Sequence, residues 1–305
     1  MSAETPAGWF NYARLRVSGF FRSGQVRLLL CLLTLVVFGA LAIYGWQKWG
    51  QDVLDRDNYR VTADRLIIPS QPPWVANDIR KQVVQDASLL ELSTLEHGTS
   101  LRIQQAFELH PWVRSANNVH AQSDGTVLVD VEYRRPVGMV QTRLGGVQGL
   151  LPIDRDGCLL PSDDFTPQSA RNYLKFDCGD TTPTGMIGGV WEDLRVIGAA
   201  KIASLLVDDW KALGLYKVSA TRKSTHAAPV FHLQTRGKVF VYWGHAPGME
   251  VVGEAKANRK VLGLISYVEK NGPIDSSAKT ELDLRGGVIK VSPLTALRNS
   301  TSRSQ

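Results

Sequence analysis

The six histidines, His97, His110, His120, His226, His232 and His245, are the side chains best suited to move a proton near neutral pH. No two stand at the spacing that puts two ligands on one helical turn. The chain holds no H-E-x-x-H, no G-x-S-x-G and no phosphate-cradling G-x-x-x-x-G-K. His232 falls within an apolar, strand-like stretch, where an imidazole is packed or surface-exposed rather than a base. Asp154 and Asp156 ahead of Gly157 have the look of a calcium loop, but such loops need about six oxygens, and no glutamate follows at the right distance. Asp163 and Asp164 sit in a polar stretch, where adjacent carboxylates are solvated. These residue types predict no catalytic constellation, cofactor or metal site, and the chain does not read as an enzyme.

Cysteine chemistry is equally sparse. The chain has three cysteines, of which Cys31 lies in an apolar run. Cys158 and Cys178 could form a disulfide in an oxidising compartment or stay as two buried thiols, because two cysteines set no framework.

The elements that must carry these residues begin with a membrane segment. From Leu28 to Gln47 the chain reads LLLCLLTLVVFGALAIYGWQ without a charge, and at 1.5 Å per residue it spans about 30 Å, a bilayer's hydrocarbon core. Arg14, Arg16, Arg22 and Arg27 face only Glu4 before it, half of the formal charge of +6. That excess places residues 1–27 in the cytoplasm and residues 48–305 outside. Tyr44, Trp46 and Trp49 suit the outer interface. A cleaved signal peptide is the alternative, with Ala40-Leu41-Ala42 as its site; either way the folded part is extracytoplasmic. That part is near neutral, which argues against nucleic acid as its main partner.

Residues 58–136 read as strand, helix, helix, strand, strand. Tyr59–Ile68 offers the first strand. Val75, Ile79 and Val83 make one helical stripe, and Ile103, Ala106 and Phe107 another that must stop before Pro111. Ser93 with Glu96 has the spacing of a capping box. Residues 113–121 and Thr126–Glu132 flank the turn Ser123-Asp124-Gly125, with Val127, Val129 and Val131 on one face. Residues 137–292 read as strand-rich. Residues 161–190 read as a long loop. Ile202, Leu205, Leu206, Trp210 and Leu213 predict a helix ending at Gly214. Tyr216–Arg222, Val230–Thr235 and Lys238–Trp243 predict strands, and Ala257, Val261, Leu264, Ile265 and Val268 a helix. Thr280–Leu284 and Gly287–Val291 predict a closing hairpin around Arg285-Gly286, with residues 293–305 as a tail. The fold class is α+β.

Three stretches carry a family resemblance. His110-Pro111-Trp112-Val113, then Asp124-Gly125-Thr126-Val127-Leu128-Val129-Asp130-Val131, then Glu132-Tyr133-Arg134-Arg135-Pro136-Val137 resemble the corresponding part of FtsQ/DivIB cell-division proteins. The exit differs by one residue from that family's Glu-Arg-x-Pro-Val. Leu151–Gly157, Val241-Tyr242-Trp243-Gly244 and Leu282-Asp283-Leu284-Arg285 extend the resemblance. It implies a POTRA domain over 58–136, a distal β-domain over 137–292, and a non-enzymatic scaffold of the inner membrane at the division site. It also implies FtsB/FtsL-like membrane partners, no small-molecule substrate, and an influence on septal peptidoglycan synthesis. The partner-binding edge then falls on Leu284, Arg285, Gly286, Gly287, Val288, Ile289, Lys290 and Val291, with the 257–268 helix behind. A POTRA-bearing component of another envelope system, or a membrane-anchored cell-wall enzyme, are the alternatives.

Overall fold

The computed structural model describes residues 24–54, 59–222, 224, 227–274, 280–287 and 289–293. Helix α1, Gly24–Leu54, is 31 residues long. Its stretch Arg27–Trp49 has a mean hydropathy of 2.5 and none of it is buried against the rest of the chain. It is the one helix among the described residues long and apolar enough to cross a membrane. Over Leu28–Trp46 apolar side chains surround it with no polar face.

A first, three-stranded sheet is built from β1 (Leu66–Ile67), β2 (Val113–Ala121) and β3 (Val127–Tyr133) in the order β1-β3-β2. β1 runs parallel to β3 and β2 antiparallel. Helices α2 (Ile79–Asp86) and α3 (Thr99–Glu108) are its helical partners. Val127, Val129 and Val131 are buried while Asp130 and Glu132 face water, so strict alternation in β3 delivers one apolar face. Ile79 and Val83 of α2, Ile103 and Phe107 of α3, and Trp112 complete that core.

Two expectations fail here. The first strand shrinks from Tyr59–Ile68 to two residues, because residues 63–65 form a tight turn and the chain before them pairs elsewhere. Val61 N–H donates to Leu92 O at 3.1 Å and Thr94 N–H to Tyr59 O at 2.7 Å. The Ser93–Glu96 capping box does not form: α3 starts at Thr99, behind Gly98 at φ +88°.

The second sheet has eight strands: β4 (Pro136–Leu144), β5 (Val147–Asp154), β6 (Leu174–Asp177), β7 (Leu215–Thr221), β8 (Val230–Thr235), β9 (Phe240–Gly244), β10 (Thr280–Asp283) and β11 (Lys290–Pro293). Their order is β11-β10-β9-β8-β7-β6-β4-β5. Pairs β4–β6, β6–β7 and β9–β10 are parallel and the rest antiparallel. Helices α4 (Pro167–Ala170), α5 (Leu194–Leu205) and α6 (Ala257–Asn271) accompany it. Val196, Ala199 and Ala203 of α5 and Leu264 of α6 join Phe176, Val218, Leu233 and Val241 in its core.

The stretch 161–190, expected as a loop, holds α4 and the interior strand β6. All three of Leu174, Lys175 and Phe176 are buried. A four-residue strand paired on both sides shows no alternation, so its pattern does not stand out from its polar neighbours. Helix α5 also sits earlier than expected. Asp193 caps it by accepting from Arg195 N–H at 2.8 Å, and it stops at Leu205; residues 206–214 are successive turns closed by Gly214 at φ +69°.

Lys175 is 4 % exposed and donates to Ala170 O. Burial, with Arg236 nearby, pushes its ammonium down to about 8. A lysine whose folded pKa lies below its unfolded value destabilises the fold at low pH, and the penalty is relieved as pH rises. We expect the native protein to gain on order of 2–3 kcal/mol against Lys175→Met between about pH 8 and 10.5. Chemical denaturation of both proteins across that range measures the difference.

The two sheets meet through the chain after β5. Arg134 Nη1 pairs with Asp154 Oδ2 at 2.7 Å and Arg114 Nη2 with Asp156 Oδ2 at 2.5 Å. Trp112 Nε1 donates to Asp164 Oδ2 at 2.6 Å. Leu160 and Phe165 pack into the first core.

Candidate interaction edge

β11 ends the long sheet. It pairs with β10 on one side, Leu282 opposite Val291 and Asp283 opposite Lys290, and has no strand on the other among the described residues. Lys290 and Val291 are exposed, Val291 at 53 %. An unpaired strand edge presents a row of N–H and C=O groups that another chain can complete.

Seven of the eight residues expected at this edge are described, and they fall into three groups. Lys290 and Val291 lie in β11 itself. Arg285 and Gly286 are exposed, and Gly287 half-buried, in the turn that leads to it. Leu284 is fully buried and offers no free surface, and Ile289 is half-buried against the same core. Val288 lies outside the described residues. The strands therefore run over Thr280–Asp283 and Lys290–Pro293, two to three residues later than expected for the second, and the turn is longer than Arg285-Gly286. Leu284 explains this, because its side chain enters the core and its N–H donates to Tyr242 O at 3.0 Å. Gly287 N–H then returns to Leu284 O at 2.9 Å.

That turn is held from behind. Ala255 N–H donates to Arg285 O at 2.7 Å. The Arg285 guanidinium pairs with Asp283 Oδ2 at 2.7 Å and lies 5.9 Å from the Tyr242 ring centroid. This pairing lowers the Asp283 carboxyl and raises Arg285. Gly287 has φ +76°, and a Cβ there would stand 2.9 Å from the Ala255 Cβ. The position needs glycine both for its backbone and for the close approach of the chain before α6.

Beneath the turn lies an ionic cluster. Glu254, with a side chain 4 % exposed, takes Lys260 Nζ at 2.5 Å, and the Lys260 side chain is fully buried. The same carboxylate accepts His245 N–H at 2.7 Å and meets His245 Nδ1 at 2.7 Å. Lys260 Nζ stands 5.1 Å from the Trp243 ring centroid. Burial would raise the Glu254 carboxyl, but the hydrogen bonds from Lys260 and His245 outweigh it and leave it lowered. Glu250 fixes the start of α6, accepting Ala257 N–H at 3.1 Å. The cluster was missed in the sequence although its signal was there. Lys260 stands three residues after Ala257 and four before Leu264, on the stripe that faces the core.

The other residues singled out earlier do not converge on it. His232 is in β8, its ring edge-on to Tyr242 at 4.8 Å, and burial lowers its imidazole. Asp154 closes its own turn, accepting from Asp156 and Cys158 N–H groups. Among the described residues, no three His, Cys, Asp or Glu side chains gather as a metal set. The disulfide left open by the sequence is not formed: Cys158 and Cys178 are buried free thiols. Cys158 Sγ donates to Gly188 O at 2.7 Å, a bond available only to the thiol. Burial pushes Cys158 up to about 11 and Cys178 to about 12.

No model of a known protein family matches the chain, and no curated protein matches it.

Proposed function

We propose that this chain is a membrane-anchored, non-enzymatic scaffold of the FtsQ/DivIB kind, with residues 1–27 cytoplasmic, residues 28–47 of α1 in the inner membrane and the two sheets outside. In this reading residues 58–136 are a POTRA-type unit and 137–292 the partner-binding β-domain. An FtsB/FtsL-like membrane partner adds a strand to β11 by β-augmentation, and the chain acts on septal wall synthesis through that partner. The observation that carries the reading is the edge itself. Lys290 and Val291 of β11 are exposed, the strand lacks an outer neighbour among the described residues, and its approach turn is fixed to the chain that leads into α6. A fixed turn lets the edge meet a partner without first being ordered.

A photoreactive residue at Val291 in native membranes tests this. Position 291 should capture a small single-span coiled-coil protein, while the same probe at Ile289 should stay within the chain. A Val291 probe that crosslinks only to its own chain removes the edge as the docking site.

A further inference from the structure

The long sheet has a second end, at β5. The ladder between β4 and β5 runs unbroken from Gly138 opposite Ile153 to Leu144 opposite Val147. Gly145 and Gly146, at φ +58° and +84°, make the tight turn that joins them. On the outer side of β5 the chain at 158–160 covers only the last residues. Asp154 N–H donates to Cys158 O at 3.1 Å and Leu160 N–H to Pro152 O at 3.0 Å. Successive residues of a strand turn their N–H and C=O groups to opposite sides. Those two bonds therefore show the main chain of 152 and 154 pointing outward, and that of Gln148 and Leu150 with it. No strand meets Gln148 or Leu150 on that side among the described residues.

Nothing blunts this edge. β2, at the rim of the first sheet, carries two register shifts, Asn118 at φ +51° and the charge of Arg114. Such devices keep a rim from pairing. Residues 145–153 hold no charge, and their ladder has no shift. Val147 is 71 % exposed, although it shares a sheet face with Leu151 and Ile153, which join the core. An apolar side chain is left uncovered where the core face runs out.

The sequence of the strand answers itself. Paired antiparallel with its own copy about Gly149, it sets Gln148 opposite Leu150 twice, the two residues whose main chain points outward. Each such pair exchanges two hydrogen bonds, four in all. Gly149 then faces Gly149 at the centre, where the chains come closest and neither brings a Cβ. Val147 comes to lie opposite Leu151 of the other copy, which covers it and carries the apolar face from one sheet into the next. Centred on Leu150 instead, the pairing would need an N–H from Pro152, which has none. Centred on Gln148, it would run into the turn at Gly146. The uncharged run opposes no like charges across the two-fold axis. We infer that the free edge of β5 pairs with the same edge of a second copy of this chain, joining two eight-stranded sheets about Gly149. This edge is at the opposite end of the sheet from β11 and does not depend on what β11 binds.

The test is cysteine crosslinking of the full chain in native membranes, with Cys31→Ser throughout to remove the exposed thiol of α1. Gly149→Cys should give a disulfide-linked dimer on mild oxidation. Its two Cα atoms stand about 4.5 Å apart in this pairing, within the roughly 4.4–6.8 Å that a disulfide spans. A Cβ at 149 meets nothing within 4 Å. Val147→Cys is at a more exposed position, yet its two copies lie about 14 Å apart in this register, and it should stay monomeric. Adding Gln148→Pro or Leu150→Pro to Gly149→Cys deletes an outward N–H in each copy and leaves the bonds to β4 in place. Either should lower the dimer yield about tenfold. The buried thiols Cys158 and Cys178 should stay unreactive to maleimide and so report an intact fold. Where a proline exposes those thiols, the ratio of yields at 149 and 147 decides alone. Equal yields at 149 and 147, a yield unmoved by both prolines, or linkage of position 149 to a different protein would each overturn the proposal.

Discussion

Lys260→Met should accelerate amide exchange throughout β9, α6 and the turn at 284–287 by roughly a hundredfold or more, equivalent to a loss of about 3–5 kcal/mol. The reason is not the value of the ion pair itself. A buried pair replaced on both sides by apolar or neutral groups is often neutral, but removing one partner leaves a charge without compensation. In Lys260→Met that charge is Glu254, with a side chain only 4 % exposed. Lys260→Met with Glu254→Gln should therefore recover much of the loss, since no unpaired charge remains.

The pH dependence gives the same idea an opposite sign in the two proteins. Glu254 is lowered in the native fold, so its contribution is present above its unfolded pKa and is lost as pH falls through the folded value. In Lys260→Met the desolvation of Glu254 loses its main opponent and the carboxyl moves up. Lowering the pH from 7 towards 4.5 should then stabilise the variant relative to the native protein. If both proteins lose stability in parallel over that range, Glu254 is not held by Lys260 in the way the geometry indicates. Gly244 makes an independent route to the same cluster. It has φ +92°, and a Cβ there would lie 2.0 Å from Glu254 Oε1.

Local pattern made the first unit legible and hid parts of the second. The alternation of Val127, Val129 and Val131 and the stripes at Ile79–Val83 and Ile103–Phe107 each repeat often enough to reveal a buried face. β6 repeats nothing, since Leu174, Lys175 and Phe176 are buried in succession by a sheet assembled from distant segments. Gly-, Pro- and Thr-rich neighbours then make it read as loop. At the candidate edge, Lys290 and Val291 could be read from the sequence. The inward turn of Leu284 could not, because it depends on Tyr242 O and on Ala255 reaching Arg285. Pairings across that distance have no local trace.

Trp112→Ala should be the most damaging single change in the first unit, costing about 3–5 kcal/mol. Trp112 is 1 % exposed and closes the core under β2. Its indole also does something that an aliphatic side chain cannot: Nε1 donates to Asp164 of the chain after β5, and Phe165 lies 6.1 Å away between ring centroids. The two roles separate experimentally. Trp112→Phe keeps most of the apolar volume and gives up the charged hydrogen bond, worth about 1.5–3 kcal/mol. Its effect should concentrate in residues 159–166, read as faster exchange there than in β2 and β3. Asp164→Ala should reproduce it, and the double variant should add little, since both changes remove one interaction. Equal and additive losses across both sheets would mean that the indole only fills the first core. The segment carrying Leu160 and Phe165 would then be held to that core by apolar packing, with the ion pairs of Arg134, Arg114 and Arg155 near its start as polar ties.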